Sequence, residues 1–259
     1  SMLICAVSCI SMPFVTNIPL EKVSEHAIKN NGVMLGYQSV DDFYDTNSVL
    51  VNAEDLVPEG TVRLDGIKVF SNIKLDEALL EAASLTYHAG SIMFQLFTDV
   101  IESSNGMLYP IENYSYEESL GMCGWINNKR VLFGNRELMT AHNIEGIPTK
   151  TKEAEYIQGG KEAMYLSISG NLAAVFIVDI IPDKSTRKWA RKLCRSKICM
   201  FVKSVDPCLS VRSLSKLLDI PEDMIRILPK KLHEDFDAET KKAVRLSASM
   251  ATNGKFSSL

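Results

Sequence analysis

The stretch from Val49 to Gly60, VLVNAEDLVPEG, decides how the fold of the chain is organised. An apolar, β-branched run ends at Val51, and the polar residues Asn52 to Asp55 follow at once. This pattern predicts a buried β-strand whose carboxyl end delivers polar side chains to a crevice. In open α/β sheets, ligands bind in crevices at the carboxyl ends of strands. We therefore expect a functional site beside Asn52.

The composition of the 259-residue chain is that of an ordinary globular protein, with 46% hydrophobic and 23% charged residues. This length allows one large domain or two modest ones. The net charge is -4 and no long block of Lys and Arg occurs, so nucleic acid is not an expected partner. The six cysteines include no C-x-x-C pair, which fits a reducing compartment better than a disulfide framework.

Residues 1–20 form the one membrane-like segment of the sequence. Its apolar run, Met2 to Val15, is shorter than the ~20 apolar residues that a membrane-spanning helix needs. The segment also lacks the basic start and the small-residue cleavage site of a signal peptide. Two interpretations stay open: a buried core segment, or the end of a longer membrane helix.

The predicted elements change in character along the chain. Helical periodicity runs from Leu75 to Tyr87 and again from Asp183 to Cys194. Between these helices, strand-like runs flank Asn127-Asn128 and Ser169-Gly170-Asn171, which are typical hairpin turns. This order predicts an α/β fold in which a parallel-sheet domain is interrupted by an inserted α+β domain.

We place the parallel-sheet domain in residues 21–70 and 160–259, and the insert in residues 71–159. Three local predictions complete this assignment: a hairpin turn at Asp65-Gly66, a strand at Met107 to Tyr109, and a polar linker from Thr149 to Gly160.

The stretch from Val49 to Gly60 resembles the phosphorylation motif of P-type ATPases, a hydrophobic strand followed by D-K-T-G-T-L-T-x-G. In this comparison Asn52 stands at the aspartate and Gly60 at the closing glycine. The resemblance is to the heavy-metal-transporting class. It implies a haloacid-dehalogenase-like phosphorylation domain that carries a nucleotide-binding insert. It also implies a place on the cytoplasmic face of a membrane, with the membrane part of the same protein as partner.

Further segments extend the resemblance over about residues 30–200. His88, in LTYHA, stands at the histidine of a Ser-Glu-His-Pro element that approaches the adenine in the family. Gly121 stands at the second glycine of a Gly-x-Gly pair, and Gly134 belongs to the similar segment WINNKRVLFGN. Asp179 stands before the turn that returns to the phosphorylation domain. The resemblance therefore implies ATP or another nucleotide as ligand, with His88, Gly121 and Gly134 as binding residues.

The catalytic parts of the motif are altered. Asn52 offers an amide, which is a poor nucleophile and a poor ligand for Mg²⁺. Ala53 and Glu54 replace the lysine and the threonine, and the acids Glu54 and Asp55 would repel a phosphate. The G-D-G-x-N-D magnesium loop has no counterpart, and Leu228 to Lys231 only approximates the Leu-Pro-x-x-Lys element. We therefore expect a non-catalytic nucleotide-binding, regulatory or scaffold module with no metal site.

Two alternatives stay open. An active phosphohydrolase or ATPase of the haloacid-dehalogenase type would need another carboxylate, and the candidates are Asp55, or Glu54 together with Asp206. Asp206 ends the segment Lys203 to Asp206, which falls where the family has Thr-Gly-Asp. The other alternative is an unrelated α/β binding protein, which would lack a split parallel-sheet domain with an insert.

Overall fold

The computed structural model describes residues 46–70, 74–103, 107–238 and 241. The prediction for the apolar segment of residues 1–20 lies outside these residues. Within the described part, no helix combines the length and the apolar character needed to cross a bilayer.

Three strands form a parallel sheet in the order β1-β8-β9. Asn52 at the end of β1 lies opposite Lys203 at the end of β8, so the polar residues that follow both strands meet at one edge of the sheet. Helices α6 and α7 precede and follow β8, as the crossover between parallel strands requires. The bounds are β1 Ser48–Asn52, β8 Cys199–Lys203, β9 Ile225–Ile227, α6 Lys184–Arg195 and α7 Val211–Leu218.

Strand β1 is half-buried on one face and exposed on the other, so the expectation of a buried strand is wrong. Val49 and Val51 pack against the main core. Leu50 alternates to the other face, where it lies opposite Phe201 and stays 37% exposed. The period-2 alternation of a strand puts these residues on opposite sides of the sheet.

Six further strands form an antiparallel sheet in the order β2-β7-β6-β5-β4-β3. The predicted turn Asn127-Asn128 joins β4 to β5. Of the predicted turn Ser169-Gly170-Asn171, the first two residues join β6 to β7, and Asn171 already begins β7. All four turn residues have positive φ, as type I′ hairpins require. The expected α/β class, a parallel sheet interrupted by an α+β part, is confirmed. The strands are β2 Val62–Val69, β3 Glu112–Glu117, β4 Gly121–Ile126, β5 Lys129–Gly134, β6 Glu162–Ile168 and β7 Asn171–Ile180.

The antiparallel sheet reaches beyond the predicted insert. Strand β2 pairs with β7, and β7 pairs with β6, so the sheet takes in residues 62–180. The sheet therefore contains the strands of the predicted insert, residues 71–159, and also strands on both sides of it in the sequence. Strand pairing joins these distant segments.

Helices cover the antiparallel sheet and connect its strands. The long helix α2 begins after Lys74 and ends at Gly90, whose φ of 64° supplies the left-handed cap that glycine adopts most readily. The remaining bounds are α1 Ala53–Leu56, α2 Leu75–Ala89, α3 Thr98–Ser103, α4 Arg136–Ala141, α5 Lys150–Tyr156, and the 3-10 helices Ile92–Phe97, Glu222–Met224 and Lys230–Leu232.

Three local predictions are wrong. Asp65-Gly66 is a bulge inside the continuous strand β2 rather than a turn, because β7 pairs with residues on both sides of it. The polar linker from Thr149 to Gly160 contains helix α5, which Thr149 caps by accepting a hydrogen bond from the backbone N–H of Lys152. Met107 to Tyr109 is not a strand; β3 begins at Glu112.

Aromatic side chains pack the 3-10 helix Ile92–Phe97 against the antiparallel sheet. Phe97, Phe133 and Phe176 are fully buried, and their ring centroids lie 5.4 to 6.3 Å apart. Phe97 comes from the 3-10 helix, Phe133 from β5 and Phe176 from β7. Tilted and edge-on pairs at these separations contribute packing energy beyond the area they bury.

The close approach of β4, β5 and α4 requires a glycine at position 134. A Cβ atom there would lie 2.3 Å from the carbonyl oxygen of Leu120, whereas a Cβ at Gly66 would lie 3.6 Å from the side chain of Ile177. We therefore expect Gly134→Ala to lower the free energy of unfolding by about 2 kcal/mol through overpacking. Gly66→Ala, the matched control, should change it by less than about 1 kcal/mol. Urea denaturation measures both, and equal changes would contradict this packing role.

Candidate functional site

A cleft of about 340 Å³ lies at the carboxyl ends of β1 and β8. Four segments meet around it: the start of α1, the end of α2, the loop after β8, and the helical residues 233–238. It is the crevice that the sequence predicts beside Asn52. Its lining consists of Asn52, Ala53, Glu54, Ala89, Gly90, Lys203, Ser204, Val205, Asp206 and Asp237.

Asn52 and Asp55 act together at the start of α1. Asn52 is the N-cap residue, and its backbone N–H donates to the carboxylate of Asp55 at 3.2 Å. This contact is the reciprocal half of a capping box, and the negative charge in the first turn is favourable for the helix dipole. The carboxylate of Asp55, one of the two catalytic candidates, is therefore used in the helix cap. Glu54 is exposed and lines the cleft.

Asp206 is buried and links the two sheets. One carboxylate oxygen accepts from the hydroxyl of Ser91, the cap of the 3-10 helix Ile92–Phe97, and the other accepts from the hydroxyl of Ser204 at 3.2 Å. Burial raises the pKa of Asp206 to about 6, although hydrogen bonds from Ser91, Ser204 and the backbone of the 3-10 helix oppose the rise. Both oxygens are occupied by protein donors.

The cation in the cleft is also engaged. Lys203 forms an ion pair with Asp237, and its ammonium lies 5.4 Å from the centre of the Phe236 ring. Lys203 is half-buried, so this contact fixes the end of β8 to the helical residues that follow Leu232. The lysine is therefore held by an acid of the same cleft.

The charge of the cleft does not favour phosphate. Three acids, Glu54, Asp206 and Asp237, face a single lysine. Two of these acids have protein partners, since Asp206 accepts from two serine hydroxyls and Asp237 pairs with Lys203. Within the described residues, no group of three or more His, Cys, Asp and Glu side chains is arranged to hold a metal ion.

Lys230, in the segment that approximates Leu-Pro-x-x-Lys, binds the antiparallel sheet instead of the cleft. Its ammonium donates to the carbonyl oxygen of Tyr116 at 2.5 Å and lies 5.4 Å from the centre of the Tyr116 ring. The Tyr116 hydroxyl in turn donates to the carbonyl oxygen of Ser204 at 3.3 Å. Strand β3 is thereby attached to the loop after β8 and to the segment after β9.

His88 lies on the last turn of α2, at the surface. Its ring centre is 5.0 Å from that of Tyr114 on β3, and the rings are tilted by 60°. The adjacent Tyr87, 60% exposed, makes a similar contact with Phe94 at 4.9 Å. Two pairs of aromatic rings therefore form a surface at the end of α2, beside Ala89 and Gly90 of the cleft.

Gly121 and Gly134 lie opposite each other in β4 and β5. A Cβ at Gly121 would lie 2.4 Å from the carbonyl oxygen of Phe133, and one at either position would meet the side chain of Leu138. Protein atoms thus occupy the space beside both glycines, which explains the residue type through packing. Their part in nucleotide binding stays a prediction.

A larger cavity, of about 530 Å³, lies between Gly159-Gly160 and α7. Its lining mixes the acids Glu162 and Asp179 with Lys216 and other cations. Of the residues that the resemblance assigns, Asp179 is the one found in this lining. The mixture of charges indicates no single class of ligand.

Among curated proteins, a heavy-metal ATPase is similar to the chain in sequence. The chain is 20% identical over 186 residues to copper-transporting ATPase 2 of Rhizobium meliloti (strain 1021). The chain resembles heavy-metal P-type ATPases. The match covers 71% of the chain but only 22% of that relative, so the chain spans about a fifth of its length. No family model matches.

Solved structures of heavy-metal ATPase domains show similar arrangements at low identity. The catalytic domain of the CPx-ATPase CopB-B has 15% identity and a TM-score of 0.45, covering 75% of this chain and 66% of that one. A zinc-transporting PIB-type ATPase has 12% identity and a TM-score of 0.41, covering 79% and 32%. The N-domain of HMA6, a copper-transporting P-type ATPase, has 18% identity and a TM-score of 0.37, covering 46% and 100%.

Sequence reasoning found Asn52, Asp55 and Asp206 but missed Ser91, which binds Asp206, and Asp237, which pairs with Lys203. Ser91 carries no local signal beyond its position before an apolar run, and it lies 115 residues from Asp206. Asp237 belongs to a mixed acidic and basic run that indicates only a solvated helix. These contacts depend on the pairing of distant segments, which the local pattern does not encode.

The buried carboxylate of Asp206 should make stability depend on pH. Its folded pKa of about 6 exceeds the usual value of 3.8, so the folded state binds the proton more tightly. The free energy of unfolding of the wild type, minus that of Asp206→Asn, should therefore fall by about 3 kcal/mol as the pH rises from below 3.8 to above 6.

Urea denaturation across this pH range measures the difference. Glu81, whose pKa burial raises to about 7, titrates in both proteins and cancels in the subtraction. A difference that stays constant with pH would mean that Asp206 does not titrate from a buried position.

Proposed function

We propose that this chain is the cytoplasmic part of a P-type-ATPase-like membrane protein that has lost the phosphorylation chemistry and acts as a nucleotide-binding regulatory or scaffold module. It takes no part in phosphoryl transfer. Its ligand is the base of a nucleotide, held at the end of α2, and Mg²⁺ has no role in the binding.

The observation that carries the proposal is the use made of Asn52. The residue at the expected aspartate position is an amide, and its backbone N–H binds the carboxylate of Asp55 within the cap of α1. Phosphoryl transfer needs a nucleophile, a metal and cations around the transferred group. The cleft offers three acids and a lysine that is already paired.

The proposed nucleotide contact is the exposed ring of His88, which packs against the half-buried ring of Tyr114. With ring centres 5.0 Å apart, the pair offers a face on which a purine can stack without displacing buried groups. The resemblance sets His88 at a residue that approaches adenine. Both lines of support converge on the same side chain.

The alternative of a phosphohydrolase that uses Asp55 receives no support from the site. A nucleophilic carboxylate must be free to reach the substrate. One carboxylate oxygen of Asp55 accepts from the backbone N–H of Asn52, and Asp206, the acid with which exposed Glu54 would have to act, is buried between two serine hydroxyls. No observation favours this second function.

The proposed partner is the membrane part of the same protein, at the cytoplasmic face of the membrane. This rests on the sequence match to a copper-transporting ATPase of which the chain spans 22%. The proposal does not extend to an ion or to any other partner.

Isothermal titration with ATP tests the nucleotide proposal. We expect weak, saturable binding that is the same with and without Mg²⁺. His88→Ala should weaken it by at least about fivefold, because stacking of a base on an aromatic side chain contributes ~1–3 kcal/mol.

Trp125→Ala is the matched control, since Trp125 is an exposed aromatic residue of β4 in the same sheet. It should bind ATP as the wild type does. Absence of heat at millimolar ATP would leave only the scaffold role, and unchanged binding by His88→Ala would place the nucleotide elsewhere. Equal weakening by both substitutions would mean that the effect is not specific to His88.

A further inference from the structure

Helix α6 carries an unusual concentration of positive charge. Residues 184–197 contain seven of the 28 Lys and Arg residues of the chain and none of its 32 Asp and Glu residues. The chain as a whole has a net charge of -4, so this segment differs sharply from the rest. Such a local excess needs an explanation that the fold alone does not supply.

Four of these cations lie along one face of the helix. Lys184, Lys188, Lys192 and Arg195 are spaced by four, four and three residues, which places them in a line on an α-helix. We call these four residues the basic stripe. All four are exposed. At 1.5 Å per residue the stripe is about 16 Å long.

The opposite face of α6 is fixed to the protein. Thr186 and Ala190 are buried, and Trp189 and Leu193 pack against the main core. The helix therefore cannot insert an apolar face into another surface. What it offers outward is charge alone.

The charged residues next to the stripe bind other parts of the protein and not the side chains of the stripe. Arg187 donates to the backbone of α7, and Arg191 pairs with Asp219 at the end of α7, so both belong to the flank that faces α7. Asp183 caps the helix by accepting from the backbone N–H of Thr186 at 2.7 Å. None of the ion pairs found in the described part of the chain involves a residue of the stripe.

We infer that the basic stripe is an electrostatic docking surface for an anionic lipid bilayer. A flat membrane can contact the line of cations along its whole length. A polyanion such as a nucleic acid would wrap around the helix. On the α7 side it would then be repelled by Asp219 and by the exposed Glu222 and Asp223. Three of the four residues are lysines, which act as flexible point charges suited to a diffuse anionic surface. Each should raise the partition coefficient for such a surface about fivefold.

This inference is independent of nucleotide binding. It adds to the proposed function a surface that would orient the module against the membrane. It needs neither His88 nor the cleft at β1 and β8, so the two proposals can fail separately.

Vesicle co-sedimentation of the whole chain without nucleotide tests the inference. We expect binding to phosphatidylcholine vesicles that contain about one-third phosphatidylserine, and none to phosphatidylcholine alone. Raising the salt from about 0.05 to 0.5 M should abolish binding by screening.

The decisive variant is Lys188→Gln with Lys192→Gln. Loss of two lysines should lower the partition coefficient about 30-fold, at about 1 kcal/mol per lysine. Gln has nearly the helix propensity of Lys, so α6 should remain folded, which circular dichroism checks. The matched control is Lys150→Gln with Lys152→Gln on exposed α5, which changes the net charge equally and should bind as the wild type does.

Two outcomes would overturn the inference. One is that the wild type does not bind the anionic vesicles, and binding of duplex DNA through the stripe in that case would identify a different partner. The other is that the stripe variant and the control lose binding equally, because net charge would then explain the effect.

Discussion

The carboxylate of Asp206 joins the two sheets of the described structure. It follows β8 of the parallel sheet and accepts hydrogen bonds from Ser91, at the 3-10 helix beside the antiparallel sheet, and from Ser204. A buried carboxylate is costly unless its oxygens are bound, so this contact favours one relative position of the 3-10 helix and the loop after β8. The bonds of Tyr116 to Ser204 and of Lys230 to Tyr116 hold β3 against the same loop.

Polar residues at this edge of the parallel sheet have structural partners. Asn52 and Asp55 form the cap of α1, Lys203 pairs with Asp237, and Lys230 binds the backbone of Tyr116. The resemblance to heavy-metal P-type ATPases would place the phosphoryl-transfer machinery at this edge. In this chain the polar side chains at this edge instead bind other parts of the fold. This is the physical basis of the proposal that the chemistry has been lost.

The local sequence pattern predicted an element correctly where the residues that determine its structure lie close together in the sequence. The turns Asn127-Asn128 and Ser169-Gly170 and the helix that follows Asp183 could be predicted because turn residues and caps encode them directly. The bulge at Asp65-Gly66 could not, since it depends on pairing with β7 more than a hundred residues later. For the same reason Asp206 was recognisable as a candidate, but its burial and its bond to Ser91 were not.

Labelling with ATP that carries radioactive γ-phosphate tests the central claim most directly. The account predicts no acid-stable, hydroxylamine-sensitive label on the chain. It also predicts none on Asn52→Asp, because Glu54, Asp206 and Asp237 would still surround the restored carboxylate without a free cation in the cleft. A covalent acyl-phosphate on the wild-type chain would contradict the account.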